Sequence, residues 1–296
     1  MGRVCRIALC CFAAVATAAS GCYAQAQTAG PAKTARKARR MAPQQVADHV
    51  KKKDWSVVDN PGVIGSEAGP ALLPLLNDPD PQVRELAVYS LNAAGGNAAR
   101  EGLFKALHDR TDTVRSAACR FLDQRFTPED VPALEKELST NPDEYVRERV
   151  ALMLGKAGKP AASTALTQQF AVERDEHAKR AQSLALARLG NALGRETVVA
   201  RLKAEDPGQL AEALDDLVYV NDPKLLPETL PLLNDTRPAK NVGPSHGPFL
   251  IRVCDVAVNT IDAVLNHPFS FAVYQTRRYS QPELDSAKAV VSRLGP

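Results

Sequence analysis

Histidines, serines and carboxylates are the residues with which this chain could hold a metal ion or build a nucleophilic site, so their spacing is considered first. No two of the five histidines are three or four residues apart, the spacing that places two metal ligands on one face of a helix. They are His49, His108, His177, His246 and His267. Gly65-Ser66-Glu67 lacks the flanking glycines of a nucleophile elbow, and no dinucleotide- or phosphate-binding glycine loop is present. We therefore expect no catalytic residue, no cofactor, no metal, and a protein that is not an enzyme.

The cysteines and spaced carboxylates also have structural interpretations. Cys119 and Cys254 fall in different predicted helices, so we expect two buried small apolar residues rather than a disulfide. Asp215, Asp216 and Asp255 could be imagined as acid and base, but we interpret them as parts of solvated helix faces.

The helices that carry these residues follow from an internal repeat. The hexapeptide Leu73 to Asp78 recurs unchanged as Leu230 to Asp235, 157 positions later. Five intervening units would each be about 31 residues long, a length typical of helical-hairpin solenoids. Because aromatic residues make up only 5% of the chain while hydrophobic residues make up 45%, the apolar content also favours packed helices.

Apolar stripes with helical spacing recur at the same interval. They begin at Val83, Val114, Val146, Ala181 and Leu210, and a sixth begins at Ile251 after an insertion of about ten residues. A polar turn rich in Asp, Asn and Pro precedes most of them, which predicts a helix end followed by a new N-cap. Each unit is therefore predicted to be a helical hairpin that must stack on its neighbours to bury its stripe.

The stretch from Ala71 to Gly95 resembles a HEAT repeat, specifically the short HEAT-like type common in bacterial proteins, and the resemblance extends from about Pro61 to His267. It implies a proline-kinked first helix, with Pro74 and Pro231 at the matching positions. It also implies an inter-repeat ladder of turn aspartates and helix arginines, which is expected to break where Gln182 and Ala211 replace the arginine. The predicted ladder residues are Asp80, Arg84, Asp112, Arg115, Asp143, Arg147 and Arg252.

Enzymes with the HEAT-like architecture provide negative tests. The di-iron hydroxylase of this architecture carries His-Glu dipeptides, and no histidine here is followed by Glu. Bilin lyases act in the cytoplasm with a chromophore, and DNA glycosylases need a basic concave face. Neither condition fits an exported chain with an acidic array, so the enzyme alternative is a HEAT-like lyase or isomerase that acts on an exported substrate.

Export is predicted from the N-terminus. Arg3 and Arg6 precede an apolar run of signal-peptide length, which makes residues 1–26 a signal segment. Two cleavage sites compete: the sequence ending at Cys22 resembles a bacterial lipobox, which makes Cys22 a lipidation candidate, and Ala24-Gln25-Ala26 fits ordinary signal peptidase. We expect a periplasmic protein or one lipid-anchored to the envelope membrane.

The charge distribution is uneven. Residues 1–26 carry +2 and residues 27–53 carry +7, which leaves −6 for residues 54–296 from a total of +3. An acidic body makes nucleic acid an unsuitable partner. The basic segment is either a solvated linker or a tether attracted to anionic lipid headgroups.

Two segments depart from the repeat and are candidate partner sites. The first is the insertion Asp235 to Pro248, which contains His246. The second follows the last unit and is rich in aromatic residues and arginine; the alternative is that it caps the exposed end of the array. The candidate binding residues in this second segment are Phe269, Phe271, Tyr274, Arg277, Arg278 and Tyr279.

Together these observations predict an all-α protein, a right-handed α-solenoid of about six HEAT-like hairpins over residues 55–296 with a C-terminal cap. Residues 27–54 form a basic linker that includes a candidate capping helix. The expected function is that of a non-catalytic scaffold, adaptor or inhibitor that binds an unidentified protein through its helical surface. A third possibility is an array that stiffens a larger assembly without discrete recognition.

Overall fold

The computed structural model describes residues 40–241 and 250–295. The predicted signal segment, Cys22, most of the basic linker and His246 lie outside these ranges. The described residues belong to one compact unit. The helices of the described part are α1 (Pro43–Lys51), α2 (Ser56–Asp59), α3 (Gly69–Leu72), α4 (Pro81–Ala94), α5 (Gly96–Ala106), α6 (Asp112–Arg125), α7 (Val131–Thr140), α8 (Glu144–Ala157), α9 (Ala162–Val172), α10 (Glu176–Arg188), α11 (Ala192–Arg201), α12 (Pro207–Val220), α13 (Val253–Leu265) and α14 (Gln281–Ser292).

The helices pair into hairpins that stack in chain order. The units are unit 1 (residues 69–94), unit 2 (96–125), unit 3 (131–157), unit 4 (162–188), unit 5 (192–220) and unit 6 (223–265). The second helices of these units are α4, α6, α8, α10, α12 and α13, and each contacts the next. The prediction of an all-α array of stacked hairpins is therefore confirmed.

The N-caps of the second helices set the register of the repeat. Asp80, Thr111, Asp143, Asp175 and Asp206 occupy the N-cap positions and are spaced 31 or 32 residues apart. The stripe of unit 4 therefore starts at Ala178, three residues before the predicted Ala181. The predicted start was wrong because a shift of three residues is close to one helical turn and leaves nearly the same face apolar.

The prolines of the duplicated hexapeptide shorten the first helices of units 1 and 6. Helix α3 ends at Leu72 and continues as a 3-10 turn over Leu73–Asn77, and the matching part of unit 6 consists of 3-10 turns over Pro223–Thr229 and Pro231–Asn234. Proline has no N–H to donate to the preceding turn, so the α-helix cannot continue through it.

The insertion in unit 6 is flanked by two short strands. Strand β1 (Pro238–Asn241) pairs antiparallel with β2 (Leu250–Arg252), with Lys240 opposite Ile251. The residues between the two strands, 242–249, lie outside the described ranges. This hairpin is the only β-structure among residues 40–241 and 250–295.

Two hydrophobic clusters make up the core and meet on α10. Ala181 and Ala185 belong to the cluster of units 1 to 4, whereas Leu184 and Ala187 belong to that of units 5 and 6. Helices α8 and α10 approach closely because residue 155 is a glycine: a Cβ there would lie 2.8 Å from the Cα of Ala185. Cys119 and Cys254 are buried free thiols, and burial raises the pKa of the Cys119 thiol to about 12. No helix in the described residues is long and apolar enough to cross a membrane.

Candidate protein-binding face

Arginines of the second helices reach forward to acids of the following unit. Arg84 binds Asp109 at 2.7 Å, with both side chains less than a tenth exposed. Arg115 binds Asp143 at 2.7 Å, and Arg147 binds Glu173 at 2.8 Å. A ladder of inter-unit ion pairs therefore joins units 1 to 4, as the resemblance implied, but two of its acids differ from those expected.

The difference has a simple positional cause. Asp109 and Glu173 lie two residues before an N-cap, where each carboxylate also accepts the backbone N–H of the N-cap residue. In unit 3 the equivalent residue is Asn141, which cannot pair with arginine as an anion, so Arg115 binds the N-cap Asp143 instead.

The remaining predicted ladder residues have local partners. Asp80 caps α4 and pairs with Lys53 at 2.9 Å, and Asp112 pairs with Arg115 of its own helix. Arg252 binds Asp255 within α13 and donates to the carbonyl of Tyr279, so it holds the C-terminal segment and joins no neighbouring unit.

The ladder ends at Glu173. This carboxylate accepts hydrogen bonds from Arg147 and from the buried Gln182. Because Arg147 donates to it, the pKa of Glu173 falls to about 2. By the N-cap register, Lys179 rather than Gln182 takes the place of the next arginine, and its ammonium lies 5.3 Å from the ring centre of Phe170.

Two of the carboxylates interpreted as solvated are buried, so that prediction was wrong. Asp216 is 8% exposed and binds Arg180 and Arg201 of two neighbouring helices. Asp255 is fully buried, where it binds Arg252 and accepts the backbone N–H of Tyr279. Asp215, in contrast, is exposed. Helical spacing alone did not reveal these bonds, because Arg180 and Arg201 lie on other helices and Tyr279 follows the last unit.

The histidines are dispersed. His49 pairs with Asp54, His108 with Glu137 and His267 with Asp262, each in a different part of the array. His177 lines a cleft of about 390 Å³ between units 4 and 5, together with Phe170, Lys179 and Arg201. Within residues 40–241 and 250–295, no group of three or more His, Cys, Asp or Glu side chains is arranged to hold a metal ion.

A serine motif in the insertion was missed at the sequence level. Gly243-Pro244-Ser245-His246-Gly247 has the spelling Gly-x-Ser-x-Gly. A nucleophile elbow leads from a strand into a helix, whereas this stretch connects β1 to β2. These five residues lie outside the described ranges.

The aromatic segment after unit 6 packs mainly against the array itself. Tyr279 is 3% exposed and its hydroxyl donates to Asn259 of α13. The Phe269 and Phe271 rings stack at 4.8 Å, and Arg278 donates to the carbonyl of Leu250. Arg277 lies over Phe271 and Tyr279 and pairs with Glu283 of α14. These contacts are those of a cap; Tyr274 alone among the aromatic residues of the segment is strongly exposed, at 61%.

A second aromatic cluster lies on the second helices of units 1 and 2. The Tyr89 ring meets Trp55 and Phe121 edge to face, with centroid distances of 5.2 and 5.0 Å. The Arg120 guanidinium lies 5.1 Å from the Tyr89 ring centre and 4.7 Å from that of Phe121. Trp55 is 38% exposed, and Arg120 is also exposed. We call Trp55, Tyr89, Arg120 and Phe121 the aromatic-arginine patch.

The patch belongs to a face shared by successive units. Tyr89 and Arg120 each lie nine residues after their N-caps, Asp80 and Thr111. The face continues to Tyr145 in unit 3, which is 36% exposed and whose hydroxyl lies 3.3 Å from Ser116. The N-cap register would have revealed Tyr89 and Arg120 as equivalent positions, but Trp55 precedes the repeat and gives no periodic signal.

Comparisons with known proteins agree with this architecture. Residues 69–139 and 101–187 match the family model for HEAT repeats, so this part of the chain is similar to HEAT repeats. The match ends within α10, where the two hydrophobic clusters meet. No curated protein matches the chain.

Among solved structures, the complex of CpcE and CpcF of phycocyanin lyase from Nostoc sp. PCC7120 is 18% identical, with a TM-score of 0.47, over 89% of this chain and 100% of that chain. An engineered protein is 16% identical with a TM-score of 0.33, over 85% of this chain and 90% of that chain. Neither similarity carries a functional argument.

Proposed function

We propose that the chain works by binding another protein, without catalysis, through the second-helix face of units 1 to 3. The aromatic-arginine patch is the observation that carries this proposal. Tryptophan, tyrosine and arginine are the residues most enriched at interface hot spots, where a single truncation costs about 2 kcal/mol or more. Here they meet at the surface of two successive units, next to the half-exposed Tyr145 of the third.

The packing around the patch supports the same role. The ion pairs of Arg84 and Arg115 fix units 1, 2 and 3 relative to one another, and the edge-to-face contact with Phe121 fixes the Tyr89 ring. A surface that is already ordered loses less conformational entropy when a partner binds. The face is therefore suited to recognition with little rearrangement.

The proposed place of action is the bacterial envelope. This part of the proposal rests on the basic and apolar N-terminal segment and its two competing cleavage sites. Mass spectrometry of the purified protein tests it: a diacylated Cys22 or an N-terminus near Gln27 is expected. An intact Met1 would contradict export by either route.

Site-specific photo-cross-linking tests the binding face. A photoactivatable residue at Gln124, exposed on α6 near the patch, should give one stoichiometric adduct in envelope extract, and a second Tyr89→Ala substitution should abolish it. The matched control carries the residue at Lys136, exposed on the first helix α7. Equal adducts from both positions, or an adduct that survives Tyr89→Ala, would contradict the proposed face. A stoichiometric small-molecule cofactor on the purified protein would instead favour the enzyme alternative.

A further inference from the structure

Arg120 differs from Arg115, Arg149 and Lys156 in having no anionic partner. Arg149 and Lys156 both reach Asp123, and Arg115 reaches Asp112 and Asp143. Arg120 makes no hydrogen bond or ion pair with the described residues and is held by the Tyr89 and Phe121 rings alone. Its guanidinium therefore carries a positive charge that no anion of the described residues balances, and five N–H donors that make no hydrogen bond to those residues.

An arginine without an anionic partner is suited to bind a ligand with a carboxylate group. Its planar fork of donors matches a carboxylate, which it binds through two parallel hydrogen bonds. Two acids close to the patch in sequence are already engaged: Asp123, three residues after Arg120, is shared by two cations, and Glu85, four residues before Tyr89, accepts a hydrogen bond from Thr113 at 3.1 Å. The local charge is thus complementary to an acidic group, although the array as a whole is acidic.

The rings beside Arg120 define the rest of the ligand. The Tyr89 ring centre lies about 5 Å from both the Trp55 ring centre and the Arg120 guanidinium. Trp55 and Arg120 are therefore close enough for one extended peptide to contact both, with its apolar side chain on Trp55 and its carboxylate on Arg120 no more than about three residues apart. We infer, on the basis of the proposed function, that the patch binds an acidic peptide segment of the partner. Its Asp or Glu pairs with Arg120, and an aromatic or large aliphatic residue within three positions packs on Trp55 and Tyr89.

Selection from a random 12-residue phage-displayed peptide library on the full protein tests this inference. Enriched peptides should contain Asp or Glu within three positions of a large apolar residue. The best peptide and its Asn or Gln counterpart are then synthesised, and their affinities are measured by calorimetry. We expect the amide peptide to bind at least tenfold more weakly than the acidic peptide.

Variants of Arg120 test whether this residue causes the difference in affinity between the two peptides. Arg120→Gln should bind both peptides equally and weakly, and Arg120→Lys should recover only part of the affinity, because an ammonium cannot form the bidentate pair. Arg174→Gln, which removes another exposed arginine at a turn, is the matched control and should bind like the wild type. Melting temperatures of all variants should agree within a few degrees, since both arginines are exposed.

The outcomes separate this inference from the proposed function. Peptides that need Trp55 and Tyr89 but lack an acid, or that bind Arg120→Gln as tightly as the wild type, would overturn the acidic ligand and keep the binding face. Failure to enrich any peptide would also overturn the inference. Only the additional absence of a cross-linked partner from Gln124 would remove the binding face itself.

Discussion

Units 1 to 4 and units 5 and 6 are built from the same hairpin but are held to their neighbours differently. In the first region, the second helices of units 1, 2 and 3 each send an arginine forward to an acid at the next turn. In the second region, Thr260 of α13 donates to the Leu214 carbonyl of α12, and the β-hairpin insertion and the C-terminal segment add further contacts. The regular region thus holds itself together with a repeated side-chain pair, and the irregular one with added segments.

The two regions also differ in whether another segment contacts the surface of their second helices. The residues nine positions after the N-cap are Tyr89, Arg120, Leu152, Leu184 and Asp215. In unit 5 this position is already engaged, because Lys240 of the insertion binds Asp215 at 2.9 Å. In units 1 and 2 the same position carries the aromatic-arginine patch. The insertion therefore contacts one end of this face, whereas the proposed binding site lies at the other end.

The largest expected effect comes from breaking the ladder. Arg84→Met leaves the Asp109 carboxylate buried without its cation, which should lower the free energy of unfolding by about 3–5 kcal/mol. The control is Lys240→Met, whose pair with Asp215 is exposed and should be worth less than about 1 kcal/mol. Urea denaturation of both variants measures the difference. Equal losses would mean that the two regions are not held differently.

The C-terminal segment gives the next largest effect. Tyr279→Ala removes a buried ring and its bond to Asn259, so we expect a loss of about 3–5 kcal/mol. Tyr274→Ala removes an exposed ring and should change stability by no more than about 0.5 kcal/mol. Thermal and urea unfolding provide the measurement. A Tyr274→Ala variant as unstable as Tyr279→Ala would show that the exposed ring is also part of the cap.

Acid should weaken the ladder. The pKa of Glu173 lies at about 2 in the folded chain and near 4.5 when unfolded, so its contribution is present above pH 4.5 and is lost as the pH falls towards 2. That contribution is about 3 kcal/mol. Urea titrations between pH 5 and 2 should show this loss in the wild type and a shallower one in Glu173→Gln. Parallel pH profiles would contradict the assignment.

The smallest effect concerns one of the contacts that join the two regions. The Tyr219 hydroxyl of α12 donates to the Leu152 carbonyl of α8 at 2.6 Å, across α10. Tyr219→Phe should cost about 1 kcal/mol and should speed amide exchange where α8 meets α10. Tyr145→Phe, whose hydroxyl lies on the surface near Ser116, should change neither quantity. If the two variants have the same stability and the same amide exchange, the Tyr219 bond does not couple the two regions.

Much of the fold could be predicted from sequence because its signals are local. Apolar stripes and Asp or Thr N-caps recur at fixed intervals, and a proline ends an α-helix wherever it stands, as at Pro74. The starting residue of a stripe was harder to predict, since helical periodicity tolerates a shift of three residues. In unit 4 only the N-cap at Asp175 fixes it.

The candidate site was less predictable because it depends on contacts between units. Asp109 and Glu173 are the acids of the ladder only because of how the turns fold. Trp55 joins Tyr89 from outside the repeat, so no periodic pattern connects the two. The tail around Tyr279 has the composition of an interface, yet composition does not distinguish rings that face a partner from rings that face α13.

The one-way direction of the ladder has a consequence for synthesis. Arg84, Arg115 and Arg147 each pair with an acid about 25 residues later in the chain, so a hairpin leaving the ribosome holds an unpaired arginine until its successor emerges. While units 1 to 4 are being made, the newest hairpin therefore lacks one inter-unit ion pair that the hairpins before it already have.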